Sequence, residues 1–211
     1  MKQNKTFVIT ISRQLGSGGA YIGQQLAKRL NVFYADREII NKVAQQYSVL
    51  EEDVEPHDEK ILSFWESLFQ FNSFSSDVYT PPKLFVPKER DLFQAEAEII
   101  EHIALEGPAV IIGRCGAYVL RDYPNLISLF LHGDLASRMD RIQKLYKLSG
   151  PEAEKMIAKS DKERAYHCKS ITGKVWGDAG NYNLSIDTGK IGLDECVELI
   201  LNYLDLIHVR D

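Results

Sequence analysis

Three glycines within four positions, Gly16, Gly18 and Gly19 around Ser17, follow a short apolar run, Phe7-Val8-Ile9-Thr10-Ile11. Beyond them Ile22, Leu26, Ala27 and Leu30 recur at helical spacing. A glycine-rich loop between a strand and a helix is where α/β proteins bind phosphate. Without Cβ atoms the backbone can approach the ligand, and the unpaired amides of the first helical turn face an anion. A tight strand-to-helix turn also calls for glycine, so the loop alone does not decide. Cations gather elsewhere in the chain too. Arg13 opens the loop, and Gly113-Arg114 follows directly on a second apolar run, Ala109-Val110-Ile111-Ile112. An arginine there is poorly explained as solvated decoration, and its guanidinium fork matches phosphate oxygens. Residues 138–174 hold ten Lys/Arg and five Asp/Glu, although the whole chain is acidic, with a net charge of −5. A basic segment on an acidic body suggests an element that closes over an anionic ligand; a solvated helical face accounts for the same count.

The elements that must position these groups alternate. Asn31-Val32-Phe33-Tyr34 reads as a second strand ending at Asp36-Arg37, and Leu126 to Leu131 and Leu184 to Asp187 as a fourth and fifth. Helical patterns run roughly from Lys88 to Leu105, from Arg138 to Leu148, and from Leu193 to Ile207. Ser149-Gly150-Pro151-Glu152 opens a further helix with a capping-box pattern. Strands separated by helices imply a parallel sheet covered on both faces. An acidic stretch, Glu51 to Pro56, and an aromatic segment with Phe64, Trp65, Phe69, Phe71, Phe74, Tyr79 and Phe85 are the least regular part. The aromatics could stack bases, but core or a subunit contact in a homo-oligomer is the better reading.

Composition excludes several classes. The 211 residues are 45% hydrophobic and 26% charged, as in a globular chain able to bury a core. Net acidity argues against a general nucleic-acid binder, and no apolar run approaches the roughly 18–20 residues that cross a bilayer. Three cysteines form no CxxC pair, and the histidines (57, 102, 132, 167, 208) show no metal-ligand spacing, so no protein metal site is expected. Cys115, beside Arg114, lacks a His or Asn pattern that would make it a nucleophile and reads as a small buried residue. A cytoplasmic protein acting on small molecules is expected.

The stretch from Ile9 to Gly19, with Leu26-Ala27-Lys28-Arg29-Leu30 and Phe33-Tyr34-Ala35-Asp36-Arg37-Glu38-Ile39-Ile40, resembles the cytidylate kinase-like family. That family is a divergent branch of the P-loop nucleoside monophosphate kinases. Ile111 to Gly116, Leu131 to Arg141 and Ile186-Asp187-Thr188 match it as well, leaving out the segment around 60–88. The resemblance implies a three-layer α/β/α P-loop kinase-like fold with about five parallel strands. It also implies one domain over 1–211, with a helical insert at about 41–106 and a helical lid at about 138–174. The implied reaction transfers a phosphoryl group from ATP, with Mg²⁺, to a nucleoside monophosphate, CMP first among them, or to another small phosphorylated acceptor.

Residue roles follow from the resemblance. Gly16, Ser17, Gly18 and Gly19 would cradle the nucleotide phosphates. Asp36, Arg37 and Arg114 would hold the acceptor, although Asp36 is also a good helix N-cap. In the lid, Arg138, Arg141, Lys162 and Arg164 would cover the transferring phosphates and Asp161 would orient a sugar or a guanidinium. The P-loop pattern G-x-x-x-x-G-K-[ST] would put lysine at Gly19 and hydroxyl at Ala20, and both are absent. Arg13 could supply the missing cation from the other side of the loop, and Ser17 could serve magnesium. A phosphate-binding regulator without transferase activity is the competing reading. Lys174-Val175-Trp176-Gly177-Asp178 resembles a stretch recurring in the family and carries no chemistry legible from its residues.

Overall fold

A computed structural model of the chain describes residues 6–36, 40 and 89–209. Arg37, the acidic stretch at 51–56 and the aromatic segment at 60–88 lie outside the described residues. Five strands form one sheet: β1 (Val8–Arg13), β2 (Phe33–Ala35), β3 (Ala109–Ile112), β4 (Leu126–His132) and β5 (Leu184–Asp187). Their order is β2-β3-β1-β4-β5 and every pairing is parallel. The helices between them are α1 (Gly19–Leu30), α2 (Glu89–Glu106), α3 (Gly116–Val119), α4 (Leu135–Tyr146), α5 (Gly150–Thr172), α6 (Thr188–Ile191) and α7 (Leu193–Leu206).

Alternation along β3 shows why the sheet is sandwiched. Val110 and Ile112 pack with Ile22 and Leu26 of α1 and with Val197, Ile200, Leu201 and Leu204 of α7. Ala109 and Ile111 point the other way, to Ile99, Ile100 and Ile103 of α2 and to Leu120. A strand buried on both faces needs apolar residues at both parities, which is what these short runs contain. The result is the three-layer α/β/α fold. No helix among the described residues is long and apolar enough to cross a membrane.

Two local differences from the pattern matter for the site. Strand β1 continues past Ile11 to Arg13, because β4 is long enough to pair with it through Arg13 and Leu131. The helices α3 and α6 have four residues each, too few to show a helical period. The α4–α5 hairpin opens where the capping box predicted: the Ser149 amide donates to the Glu152 carboxylate at 2.9 Å.

Candidate active site

The loop after β1 is shaped by two left-handed glycines, Gly16 (φ 84°) and Gly18 (φ 77°). Gly18 is the N-cap of α1, and no side chain caps that helix. The first amides of a helix have no intrahelical partner. Together with the helix dipole, worth roughly half a positive charge, they make this end a receptor for anions. Gly16 and Gly18 are required by crowding as well as by φ. A Cβ on Gly16 would stand 2.8 Å from the Arg138 carbonyl oxygen, and one on Gly18 would meet Leu193 at 2.5 Å.

The basic hairpin is docked on this loop. Asp161 of α5 accepts the Leu15 amide at 2.9 Å and the Arg138 guanidinium at 2.6 Å; Arg138 also donates to the Leu15 carbonyl at 3.2 Å. Leu15 itself closes a small core with Ile142, Ala153 and Ile157. Farther along α5, Arg164 donates to the Arg13 carbonyl at 2.6 Å. Arg138 and Asp161 thus hold the loop's backbone, and the Leu15 amide is occupied by protein. Arg141 lies half-buried one turn on from Arg138, while Lys162 is exposed on α5.

Arg13 takes an unexpected route. Its aliphatic stem crosses Gly19, where a Cβ would stand 2.6 Å from the Arg13 Cγ, and its guanidinium rests against Gly113, leaving no room for a side chain there either. Gly113 (φ 77°), Arg114 (φ 53°) and Cys115 (φ 53°) then form a left-handed turn out of β3. Arg114 forms an ion pair at 3.0 Å with Glu96, which is only 1% exposed on α2. That pair aims Arg114 at the cavity. Glu96 was not visible as a site residue in the sequence; only tertiary packing brings it to Arg114.

Arg13, Arg114 and Arg164 all line one solvent-open cavity at the C-terminal edge of β1 and β3. In parallel α/β sheets this is the edge where ligands bind. Another part of the wall holds Lys174, Trp176, Asn181 and Tyr182. Here the stretch Lys174 to Asp178 finds its physical account. Trp176 packs edge-on to Phe130 with ring centroids 5.4 Å apart, and Tyr182 stacks on the same ring at 5.0 Å. The Tyr182 hydroxyl donates to the Trp176 carbonyl at 2.7 Å, and Asp178 caps the short 3-10 helix Ala179–Asn181. Burial pushes the Tyr182 phenol up to about 12, so this wall is neutral and aromatic apart from Lys174.

The other predicted positions among the described residues are not part of the cavity wall. Asp36 stands at the C-terminal end of β2, and its carbonyl accepts the Ile40 amide at 3.0 Å, the geometry of a helix start. The Ser17 hydroxyl does not present itself to a metal. It is buried and donates to the Gln14 carbonyl at 2.8 Å. Among the described residues no group of three His, Cys, Asp or Glu side chains could hold a metal ion.

The fold is that of the P-loop kinases. It is shared with a shikimate kinase from Bacteroides thetaiotaomicron (TM-score 0.54, 13% identity, covering 95% of this chain and 99% of that one). A protein from Eubacterium ventriosum ATCC 27560 is more similar, with a TM-score of 0.71 and 24% identity over 94% of this chain and 98% of its own. The sequence model of the cytidylate kinase-like family matches residues 8–190, and the chain belongs to that family. Cytidylate kinases from two strains of Saccharolobus islandicus are each 23% identical over 201 residues, 95% of this chain and 92% of theirs.

Proposed function

We propose that this protein transfers the γ-phosphoryl group of ATP to a nucleoside monophosphate or a similar small phosphorylated acceptor, with CMP the first to test. The observation that carries the reading is the path of Arg13. Its stem fills the space above Gly19 that a loop lysine would need, and its guanidinium reaches the cavity beside Arg114 and Arg164. Lysine loss and arginine gain are sterically one substitution. The ATP phosphates would rest on the Gly16–Gly19 loop and the first amides of α1, and the acceptor would enter the cavity. The relatives named cytidylate kinase support that acceptor class.

Phosphoryl transfer asks the protein chiefly for positioning and for charge stabilisation on the equatorial oxygens. Arg13 and Arg164 are held at the junction between loop and cavity. Arg114, oriented by Glu96, would fix the acceptor phosphate. Asp161 and Arg138 would act indirectly, by holding the loop. Bound Mg²⁺ would offset the charge of the ATP phosphates. A second reading, a phosphate-binding regulator without transfer, is favoured by one observation: the only hydroxyl in the glycine loop, that of Ser17, is committed to Gln14.

Purified protein with ATP, Mg²⁺ and a panel of monophosphates separates the two. The expected result is ADP production dependent on one or a few monophosphates. Saturable ATP binding with no turnover on any acceptor would leave the regulator. Under both readings, crystals grown in sulfate should show a tetrahedral anion on the Gly16–Gly19 amides. A well-ordered, accessible and empty loop at ample sulfate would remove the phosphate cradle.

A further inference from the structure

Two of the three cysteines meet in the cavity. Cys115, at the N-cap of α3, and Cys168, on α5, both line it, close enough for each thiol to shift the acidity of the other. The third, Cys196, is fully buried in the sheet's other face. We propose that Cys115 and Cys168 are a redox modification site, oxidised by hydroperoxides to an intramolecular disulfide that ties helix α5 to the Gly113-Arg114 turn.

The environments of the two sulfurs assign their roles. Around Cys168, the neighbouring Cys115 thiol, the Thr172 hydroxyl 3.5 Å away and the positive charge of Lys174 all favour the thiolate. Together these hold the Cys168 thiol down at about 6 against the opposing effect of burial. Cys115 is pushed well up, first by Cys168 and then by burial, with Glu96 adding to the rise and Arg114 opposing it. Arg13, Tyr118, Arg164, His167 and Tyr182 are the other charged or titratable groups on the wall. Cys168 is therefore the attacking thiolate and Cys115 the proton-bearing resolving thiol.

The steps balance. The Cys168 thiolate attacks one oxygen of the O–O bond, giving a sulfenic acid and releasing the other oxygen as an alkoxide or hydroxide that takes a proton. The Cys115 thiol, losing its proton, then displaces hydroxide from the sulfenic sulfur; the S–S bond forms and water leaves. The hydroperoxide is reduced by two electrons and the two thiols are oxidised to one disulfide. The two sulfurs must close to about 2.0 Å. That motion draws the Arg164–Thr172 wall toward Arg114 and narrows the cavity. Loss of acceptor binding on oxidation rests on the transfer reading; formation of the disulfide does not.

The test uses the full chain under hydrogen peroxide without reductant. Wild type should lose two of its three titratable thiols, and peptide mapping should find Cys115 joined to Cys168. Cys115→Ser should stop at a Cys168 sulfenic acid that a 1,3-dione traps, while Cys168→Ser should keep its remaining thiols. Iodoacetamide labelling of Cys168 in reduced protein should follow a pH midpoint near 6. At about pH 6 it should run roughly tenfold faster than an ordinary thiol, since greater ionisation outweighs the lower nucleophilicity of a weakly basic thiolate. Three surviving thiols, a linkage that omits either cysteine, or Cys168→Ser oxidising as fast as wild type would overturn the proposal. A clean disulfide in a protein that never transfers phosphate would sustain it and count against the transferase alone.

Discussion

Arg13→Ala should reduce phosphoryl transfer by at least about 10³-fold, the range seen when a transition-state arginine is removed. The fold should survive. Arg164 is held by the Arg13 carbonyl, a backbone group that alanine retains, and the Arg13 side chain lies over two glycines, its stem on Gly19 and its guanidinium on Gly113. The decisive comparison is with Gly19→Lys. Alone, that substitution forces a Cβ into the Arg13 stem and should be inactive and destabilised. Combined with Arg13→Ala, the same lysine gains room and should recover part of the lost rate. Two deleterious changes that partly rescue each other define a coupled pair. Measured kcat and ATP affinity across the four proteins test this. Simple multiplication of the two losses, or an Arg13→Ala enzyme as fast as wild type, would remove Arg13 from the lysine's role.

A large stability effect should come from Asp161→Ala. Its carboxylate faces the Arg138 guanidinium at 2.6 Å, and the two side chains are only 18% and 9% exposed. Removing one member of a buried ion pair strands the other charge, typically at ~3–5 kcal/mol. For a chain of this size that is a drop in Tm of roughly 6–20 °C. Asp161 also accepts the Leu15 amide, so Asp161→Asn, which keeps an acceptor, should lose less. Replacing both partners, Asp161→Ala with Arg138→Met, should recover part of the deficit because no charge is then left behind. Lys144→Ala is the control. Its pair with Asp140 is exposed on both sides, and such pairs are worth ~0–1 kcal/mol. Thermal unfolding of the five proteins decides it, and an Asp161→Ala variant melting with the Lys144→Ala control would show that the pair does not anchor the hairpin.

These two arginines show what kinds of information the chain carries. Arg13 and the glycines of the loop are neighbours in sequence, so the glycine-rich turn and the arginine that opens it could be read directly. The same holds for the five strands, whose apolar runs are long enough to announce burial on both faces, and for the Ser149–Glu152 capping box. Arg138 and Asp161 were legible only as members of a basic hairpin. That they brace Leu15 rather than face open solvent depends on a contact between residues far apart in the chain, which no local pattern records.

Residue types and spacings by themselves determined the parallel α/β sheet, the uncapped glycine loop at the start of the first helix, and the absence of the usual lysine and hydroxyl. These are consequences of local backbone preferences and hydrophobic period, which neighbours in sequence suffice to express. Tertiary structure alone decided the rest. It steered Arg13 between Gly19 and Gly113, set buried Glu96 against Arg114, turned the Ser17 hydroxyl to Gln14, and seated Trp176 and Tyr182 on Phe130 to make the cavity's aromatic wall. It also brought Cys115 and Cys168 into contact. Each of these pairings crosses between secondary-structure elements or depends on a side-chain direction, and both are set by how the layers pack.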